Sequence, residues 1–403
     1  MKVLMFGWEF PPINSGGLGT ACAGLSKSLV DKNIDLTFVL PYASEEHKSH
    51  NVNIISAGDK KVKIKTIKTI LKPYISETDY NETIRIIRPS KKSRIYGKDL
   101  FHEVELYAHR AGAVAEDVDH DVIHAHDWLS FKAGIKAKSM SGKPLIVHVH
   151  ATEFDRTGSN GVNQDVYDIE KQGMNAADKV IAVSNFTKKM IIDQYGITPE
   201  KIEVVHNAVD NDIVVADECA EIKSKRNKTV LFLGRLTLQK GPDYFLYAAK
   251  KVLELDPNVT FVIAGSGDME QFVIEKAAEL GIARNVLFAG FVQGKDVGRA
   301  YRMADLYVMP SVSEPFGITP LEALKNNTPV LISKQSGVSE VLNHCLKVDF
   351  WNIDDMANKI ISVLNYDSLK DQLSIEGSRE VSGFNWDIPA DKCINIYNNL
   401  LRK

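Results

Sequence analysis

Short apolar runs alternate with amphipathic stretches along this chain, and the alternation occurs in two separate sets. The first set predicts strands at Val3–Phe6, Leu36–Leu40, Val122–His124, Leu145–His148 and Lys179–Val183. The second set predicts strands at Val230–Leu233, Val259–Ala264, Val286–Ala289, Leu306–Met309 and Val330–Ile332. Helices are predicted between strands at Thr20–Lys32, Asp165–Ala177, Asp243–Leu255 and Met269–Leu280. Strands that are apolar on both faces and alternate with helices are typical of parallel sheets covered on both sides, so we predict an α/β protein with two doubly wound, Rossmann-like domains.

A polar stretch separates the two sets. It begins at Val209, after a predicted strand at Ile202–Val205, and ends before Val230. We therefore predict a first domain of residues 1–208 and a second of residues 209–385, followed by an amphipathic helix over Ile388–Leu401. Because ligands of open α/β sheets bind at the carboxyl ends of the strands, two facing domains predict a cleft between them.

Composition narrows the class of protein. The 403 residues are 44% hydrophobic and 25% charged, as in a soluble globular protein, and a net charge of −3 gives no bulk attraction to nucleic acid. The four cysteines are far apart and form no CxxC pair, which favours a reduced, cytoplasmic setting over a disulfide framework or zinc ribbon. The first residues, MKVLMFGWEFPP, are interpreted as a strand and not as a signal peptide, and no apolar stretch approaches the ~20 residues of a membrane span.

Two glutamates, Glu314 and Glu322, lie on either side of a turn rich in proline and glycine. The turn keeps Glu314 out of regular structure, whereas Leu321–Lys325 is predicted to begin a helix that carries Glu322 on its first turn. Carboxylates accept hydrogen bonds from sugar hydroxyls, and the N–H groups of a helix start bind phosphate. The pattern therefore suits a ligand that is part sugar and part phosphate; the alternative is a helix entered by a turn with two surface glutamates.

Three further loops follow predicted strands. Ser15–Thr20 is rich in glycine and precedes a helix, but it is neither a dinucleotide fingerprint nor a P-loop, and the alternative is a tight turn. Arg235 and Lys240 emerge after another strand, where such a pair suits phosphate, unless both are solvated cations. The loop Ala264–Asp268, which contains Gly265, is a less specific example.

Histidines end two strands of the first domain. His148 and His150 lie on one face of their strand, and a second group comprises His120, His124, His126 and Asp127. The spacing is that of a strand and not H-x3-H on a helix, and no second cluster completes a metal site. We therefore expect no metal.

Lysines alternate with apolar residues over Lys60–Lys65, and Lys68 and Lys72 extend the pattern. We interpret this stretch as the solvated face of an edge strand. Peripheral contact with an anionic membrane surface is the alternative.

The motifs fit together as one set, in the order WEFPPINSGGLGT, DVIHAHDW, VHVHATEF, IAVSNFTKK, VVHNAVD, GRLTLQKG and SEPFGITPLEA. With them the chain resembles, nearly end to end, the retaining glycosyltransferases of the GT-B architecture, those of family 4 (group 1) and the related bacterial glycogen and starch synthases. The resemblance implies a C-terminal helix, residues 386–403, that crosses back onto the first domain.

The resemblance also implies roles for individual residues. Arg235 and Lys240 would hold the donor diphosphate, Glu314 would lie beside the transferred sugar, and Glu322 would hydrogen-bond the nucleotide ribose. His150 would contact the sugar near its 6-hydroxyl. The other implied site residues are Asp127 near the reacting sugar, Gly16 and Gly17 closing over the diphosphate, Phe316, Gly317, Ile318 and Thr319 meeting sugar and phosphate through their backbone amides, and Gly265 among the donor-binding residues.

One residue departs from the pattern. Synthases that use ADP-glucose carry a lysine immediately before the glycine pair, whereas this chain has Ser15. The departure favours the broader family 4 pattern and leaves UDP-glucose and ADP-glucose as the expected co-substrates.

The resemblance implies front-face substitution with retention of configuration. No DxD sequence has a convincing context, so no obligate metal or cofactor is expected. The acceptor stays open between an α-glucan, a small sugar or phosphate acceptor, and a lipid-linked sugar. The rival functions are a phosphorylase-type enzyme with lysine-bound pyridoxal, a non-catalytic sugar-nucleotide-binding protein and a nucleotide-sugar epimerase.

Overall fold

The computed structural model describes residues 1–11, 16–41, 100–158, 161–210 and 227–402, and the backbone of short strands within 56–66. The strands of this part are Lys2–Phe6 (β1), Asp35–Leu40 (β2), Ser56–Ala57 (β3), Lys60–Lys61 (β4), Lys63–Thr66 (β5), Val122–His126 (β6), Leu145–Val149 (β7), Lys179–Ala182 (β8), Ile202–Val204 (β9), Thr229–Leu233 (β10), Thr260–Ala264 (β11), Val286–Gly290 (β12), Leu306–Met309 (β13), Val330–Ser333 (β14) and Leu346–Val348 (β15).

The described α-helices are Gly17–Asp31 (α1), Leu100–Asp117 (α2), Trp128–Ser141 (α3), Glu153–Arg156 (α4), Gln164–Ala176 (α5), Asn185–Met190 (α6), Pro242–Leu255 (α7), Glu270–Glu279 (α8), Lys295–Met303 (α9), Thr319–Lys325 (α10), Ile353–Asn365 (α11), Asp367–Val381 (α12) and Asp387–Leu401 (α13). A π-helical turn spans Ile191–Tyr195, and 3₁₀ turns span Pro199–Lys201, Leu238–Lys240 and Gly337–Glu340.

Two parallel sheets organise these elements. Among the described residues, the first has the order β5-β2-β1-β6-β7-β8-β9 and the second β12-β11-β10-β13-β14-β15. In each sheet the chain builds outward from a central strand and then continues on its other side. Such a switch point opens a crevice at the carboxyl ends of the two strands involved, here β1 with β6 and β10 with β13.

Burial explains why the apolar runs became strands. All five residues of β7 and all four of β13 are buried, as expected for central strands with helices on both faces. Helix α7 starts at Pro242, directly after Gly241 in a left-handed conformation with φ 62°, and it buries Phe245, Leu246, Ala248, Ala249 and Val252. The prediction of two doubly wound α/β domains is confirmed; the boundary at residues 208 and 209 stays a prediction.

Helix α13 crosses back onto the first domain, as the resemblance implied. Ser28 Oγ of α1 donates a 2.8 Å hydrogen bond to Asp387, and Tyr397 OH lies 2.7 Å from His124 Nδ1 of β6. A Cβ atom on Gly24 would come within 2.2 Å of the Trp386 ring, so only glycine at this position of α1 leaves room for the Trp386 side chain.

Loops that follow β13 and β14 contact the first domain. Ser313 Oγ donates a 2.6 Å hydrogen bond to the buried Asp155, and Ser184 Oγ donates one of 2.5 Å to the carbonyl oxygen of Pro315. The carboxylate of Glu340 accepts hydrogen bonds from the backbone N–H groups of Asn185 and Phe186, which begin α6. The two domains therefore meet beside the loop that carries Glu314.

Part of the lysine-rich stretch forms β4 and the edge strand β5, which pairs only with β2 among the described strands. The expectation of an edge strand is confirmed for the backbone, while Lys68 and Lys72 lie outside the described residues. None of the described helices has both the length and the apolarity needed to span a membrane.

Candidate active site

Lys240 and Glu314 form a largely buried ion pair at the switch point of the second sheet. Lys240 ends the turn that follows β10, and Glu314 lies in the loop after the neighbouring strand β13. Lys240 Nζ is 2.5 Å from Glu314 Oε2, to which Ser311 Oγ also donates at 3.1 Å. The side chains are 23% and 8% exposed, respectively. The pair places opposite charges at the edge of the crevice, where the topology predicts a ligand.

The backbone of Glu314 is fixed on both sides. Its N–H donates to the carbonyl oxygen of Gln335 at 2.9 Å, and its own carbonyl oxygen accepts from Gly337 at 2.9 Å. A Cβ atom on Gly337 would lie 2.2 Å from the carbonyl oxygen of Pro315, so the approach needs glycine. The loop after β13 is thereby attached to the loop after β14.

The predicted loop Phe316–Thr319 turns around Glu314. Gly317 has φ 99°, and a Cβ atom there would lie 3.1 Å from Glu314 Cγ. The hydroxyl of Tyr307 lies 2.9 Å from Thr319 Oγ1 and 3.2 Å from the carbonyl oxygen of Leu233, which connects this loop to the end of β10. The predicted loop residues and the ion pair thus share one edge of the sheet.

Glu322 lies on the first turn of α10 and accepts a 2.9 Å hydrogen bond from Tyr301 OH. Burial raises the pKa of Glu322 above its ordinary value, and the bond from Tyr301 limits the rise. The predicted ribose acceptor is therefore a carboxylate with one oxygen already held.

Arg235 and Gly265 follow the adjacent strands β10 and β11. Arg235 is half-buried at the start of the loop that ends with Lys240. Gly265 has φ 144°, and a Cβ atom on it would lie 1.9 Å from the carbonyl oxygen of Gly234. Packing alone thus requires glycine at this position, and its role in donor binding stays a prediction.

The glycine pair of the first domain faces the second domain. Gly16 N–H donates a 3.0 Å hydrogen bond to Glu9, and Gly17 begins α1. A Cβ atom on Gly17 would lie 4.0 Å from Ile318 Cδ1, so two of the predicted donor-binding loops approach each other across the cleft. Ser15 lies outside the described residues.

Asp127 supports the backbone at the end of β7. Its Oδ1 accepts hydrogen bonds from the N–H groups of His150, at 2.7 Å, and Ala151, at 3.3 Å. Burial raises the pKa of Asp127 to about 7, although the field of Arg156 and these two bonds oppose the rise. Asp127 also has φ 57°, an unfavourable backbone conformation that is common at functional sites.

Four histidine rings lie side by side at the ends of β6 and β7. His126 Nδ1 is 2.9 Å from His150 Nε2, and His124 Nε2 is 3.3 Å from His148 Nδ1. Burial lowers the pKa of all four, to about 3 for His124 and His150, and keeps the rings neutral. The register of β6 and β7 pairs His126 with His148 and so brings the two groups of histidines together, while the expectation of no metal stays a prediction. His120 is separate and bonds to Ser141.

Comparison with known proteins identifies the family. Residues 15–213 match the model of Glycosyltransferase Family 4, and residues 217–380 match that of Glycosyl transferases group 1. The chain belongs to the group 1 glycosyltransferases.

Similar proteins align with this glycosyltransferase over almost its entire length. It is 29% identical to "Uncharacterized glycosyltransferase MJ1607" of Methanocaldococcus jannaschii over 98% of both chains. It is 26% identical to a glycogen synthase of Mycobacterium tuberculosis, covering 98% of this chain and 94% of that one. The crystal structure of Anabaena Alr3699/HepE in complex with UDP and glucose has a TM-score of 0.74 at 17% identity, with 99% of this chain and 100% of that chain covered. This last likeness shows the shared GT-B fold.

Several polar residues of this glycosyltransferase site were missed by sequence reasoning. Ser311 and Tyr301 contact the two predicted glutamates, and Glu9 contacts the glycine loop. No motif pointed to them, because each contact arises only when separate loops pack together. The repeated H-x-H pattern was a usable signal for the histidine cluster.

Proposed function

We propose that this glycosyltransferase moves a hexosyl unit, glucose as the first candidate, from a nucleotide-diphosphate sugar to an acceptor hydroxyl with retention of configuration. The observation that carries the proposal is the buried contact between Lys240 and Glu314 beside the loop Phe316–Thr319. UDP-glucose and ADP-glucose are the proposed donors, and the complex of HepE with UDP and glucose supports this class. An α-glucan is the proposed acceptor, which the glycogen synthase relative supports.

Sugar transfer requires the enzyme to stabilise a leaving group. Cleavage of a sugar–phosphate bond leaves negative charge on the nucleotide diphosphate, and Arg235 and Lys240 would stabilise that charge as it develops. The N–H groups of Gly16 and Gly17 and of the loop Phe316–Thr319 would add further donors. No metal is needed for this step when cations of the protein supply the charge.

The remaining residues would orient the sugar. Glu314 would accept from its hydroxyls, His150 would contact it near the 6-hydroxyl, Asp127 would hold the backbone around it, and Glu322 would bind the ribose. In front-face substitution the departing phosphate oxygen takes the proton of the acceptor hydroxyl, which then bonds to the anomeric carbon. Both partners occupy one face of the sugar, so its configuration is retained.

The first experiment is a thermal-shift and turnover panel of UDP-, ADP- and GDP-sugars, with and without short α-glucans. We expect one nucleotide sugar to stabilise the protein and the glucan to accelerate release of its nucleotide, with an α-linked product by NMR. Lys240→Ala serves as the control that loses both effects. Binding without glucan-dependent release would redirect the search to lipid-linked or small acceptors.

The rival activities have distinct outcomes in the same panel. Conversion of the donor sugar without an acceptor would indicate an epimerase, and binding without any turnover would indicate a non-catalytic protein. Phosphorolysis with a pyridoxal absorbance band would indicate a phosphorylase-type enzyme. Failure of every sugar nucleotide to bind would contradict the proposed function.

A further inference from the structure

The loop that carries Glu314 is held by the first domain as well as by its own. In the residue before Glu314, Ser313 Oγ donates a 2.6 Å hydrogen bond to Asp155 Oδ1, and both side chains are buried. In the residue after it, the carbonyl oxygen of Pro315 accepts a 2.5 Å hydrogen bond from the buried Ser184 Oγ. Side chains of the other domain therefore fix both residues that flank Glu314.

The direction of the backbone explains this arrangement. The carbonyl oxygens of Glu314 and Phe316 accept hydrogen bonds from the N–H groups of Gly337 and Val338 in the second domain, at 2.9 and 2.7 Å. Successive carbonyl groups of an extended backbone point in opposite directions, so the carbonyl of Pro315 points towards the first domain. The loop is therefore attached on two sides, and the first domain holds one of them.

The two side chains of the first domain are themselves fixed. Asp155 Oδ2 accepts hydrogen bonds from the N–H and the Oγ1 of Thr152, each at 2.8 Å, in the capping box of α4. Ser184 caps α6 by accepting a 2.9 Å hydrogen bond from the N–H of Thr187, whose own hydroxyl donates to Pro315 at 3.2 Å. The donors around Asp155 suit its carboxylate form, and a charged acceptor strengthens the bond that it accepts between the domains.

Asp155 also shares a segment of chain with His150. Both follow β7, and α4 carries Asp155 towards the second domain. A Cβ atom on Gly158, just past α4, would lie 3.5 Å from Leu238 Cδ2, in the turn that ends with Lys240. The segment after β7 therefore packs beside both loops of the ion pair.

We propose that Asp155 and Ser184 are positioning residues that hold Glu314 in place from the other domain. They act through Ser313 and Pro315, and neither needs to touch the donor. Loss of either contact displaces Glu314, and a displacement of about 1 Å can cost about 100-fold in rate. The effect on sugar transfer rests on the proposed function, whereas the placement of Glu314 does not.

The kinetic test uses Ser313→Ala and Ser184→Ala with the donor and acceptor found by the panel. Each should lower kcat at least about 10-fold. The dissociation constant of UDP or ADP alone should change by less than about 3-fold, because Arg235 and Glu322, which are proposed to bind the nucleotide, lie outside this loop. A folded Ser313→Ala or Ser184→Ala variant with the kcat of the wild type would overturn the proposal. So would a loss of nucleotide binding as large as the loss of turnover.

A double variant tests whether Ser313 acts through Asp155. Asp155→Ala should impair turnover, and Ser313→Ala added to it should cause little further loss, because the shared contact is already absent. Circular dichroism checks folding, and Asp155→Asn replaces Asp155→Ala if the latter does not fold. Fully multiplicative effects of the two substitutions would contradict a role of Asp155 through Ser313.

The matched control is Ser28→Ala. Ser28 is also a buried serine that donates to a distant aspartate, Asp387, at 2.8 Å, but this bond joins α1 to α13 and lies outside the loop of Glu314. Ser28→Ala should keep the kcat of the wild type. A loss of turnover in Ser28→Ala as large as that in Ser313→Ala would indicate general loosening of the protein and would overturn the proposal.

Crystal structures of these proteins report the placement of Glu314 without any turnover. In Ser313→Ala the carboxylate of Glu314 should move away from Lys240 or occupy more than one position, and in Ser28→Ala it should stay in place. An unmoved Glu314 in both Ser313→Ala and Ser184→Ala would overturn the positioning role. A wild type that transfers no sugar would contradict the proposed function, and the crystal structures would still decide what holds Glu314.

Discussion

Lys240 Nζ lies 2.5 Å from Glu314 Oε2, and the two residues extend from the ends of paired strands, β10 and β13. Neither residue is held by its own loop alone. Ser311 also contacts this carboxylate, and backbone hydrogen bonds fix Glu314 to the loop after β14. Because both side chains are largely buried, removal of either one leaves the other with an unbalanced charge.

The first prediction concerns this pair. Lys240→Ala and Glu314→Ala should each lower turnover at least about 100-fold, because each loses transition-state stabilisation and misplaces its partner. The double variant should be much less impaired than the product of the two single effects. Steady-state kinetics at saturating donor measures this.

The control for the first prediction is Lys251→Ala. Lys251 forms an exposed ion pair with Asp354, 2.6 Å apart, and such pairs contribute little. The turnover of Lys251→Ala should match that of the wild type. Wild-type turnover in a folded Lys240 or Glu314 variant would refute the assignment.

The second prediction concerns Tyr301, which donates to Glu322. Tyr301→Phe should raise the donor dissociation constant about 10-fold with the fold unchanged, because Glu322 loses the bond that orients it. Isothermal titration with the best donor of the panel measures the change. Tyr366→Phe, at a tyrosine that is 64% exposed, is the control. An unchanged dissociation constant in Tyr301→Phe would argue against contact between Glu322 and the donor.

The third prediction compares two glycine substitutions, one that adds both steric crowding and backbone strain and one that adds backbone strain alone. Gly265→Ala adds a Cβ atom 1.9 Å from a backbone oxygen at φ 144°, and it should lower the free energy of unfolding by more than ~3 kcal/mol. Gly281→Ala, at φ 72° with nothing within 4 Å of the new atom, should cost about 1–2 kcal/mol. Denaturant titration compares them, and equal costs would show that the end of β11 relaxes more readily than the geometry indicates.

The fourth prediction concerns pH and Glu340, which joins the domains. Burial by itself would raise the pKa of Glu340, but hydrogen bonds from His206, Asn185 and Phe186 outweigh it and hold the pKa below its ordinary value. The stabilisation is therefore present above the ordinary pKa of glutamate, about 4.3, and is lost as pH falls through the lowered value. Glu340→Gln should cost about 1–2 kcal/mol near neutral pH and less in acid.

The Tm of wild type and Glu340→Gln, measured from neutral to acidic pH, tests this. The difference in Tm should shrink as Glu340 becomes protonated in the wild type. Glu275→Gln, at an exposed glutamate that bonds only within α8 among the described residues, should show no such trend. A difference independent of pH would mean that the charge of Glu340 does not hold α6.

Most strands were predictable because burial on both faces imposes a continuous apolar run. Leu306–Met309 was predicted to the residue, whereas β6 continues two residues beyond its predicted end because His126 is buried like the residues before it. Helix α9 was not singled out. It buries only Gly298 and Tyr301, so it has no apolar stripe to detect.

The candidate site was predictable only where one loop carries the chemistry. Glu314, Lys240 and Glu322 each lie in a recognisable motif, although their roles still await the experiments above. The contact of Ser313 with Asp155 joins residues 158 positions apart, and no local pattern encodes it. The histidine cluster depends in the same way on the register of β6 with β7.

Helix α13 completes the first domain but follows the entire second domain in the chain. During synthesis, strands β1 to β9 leave the ribosome before Trp386 has been added to the chain. The surface around Gly24, which Trp386 covers in the complete protein, is then still exposed. The second domain can therefore finish folding before the first, which reverses the usual order for consecutive domains. A nascent chain halted between the two would present an open hydrophobic surface to chaperones, and a premature stop after β15 would leave the histidine cluster without Tyr397.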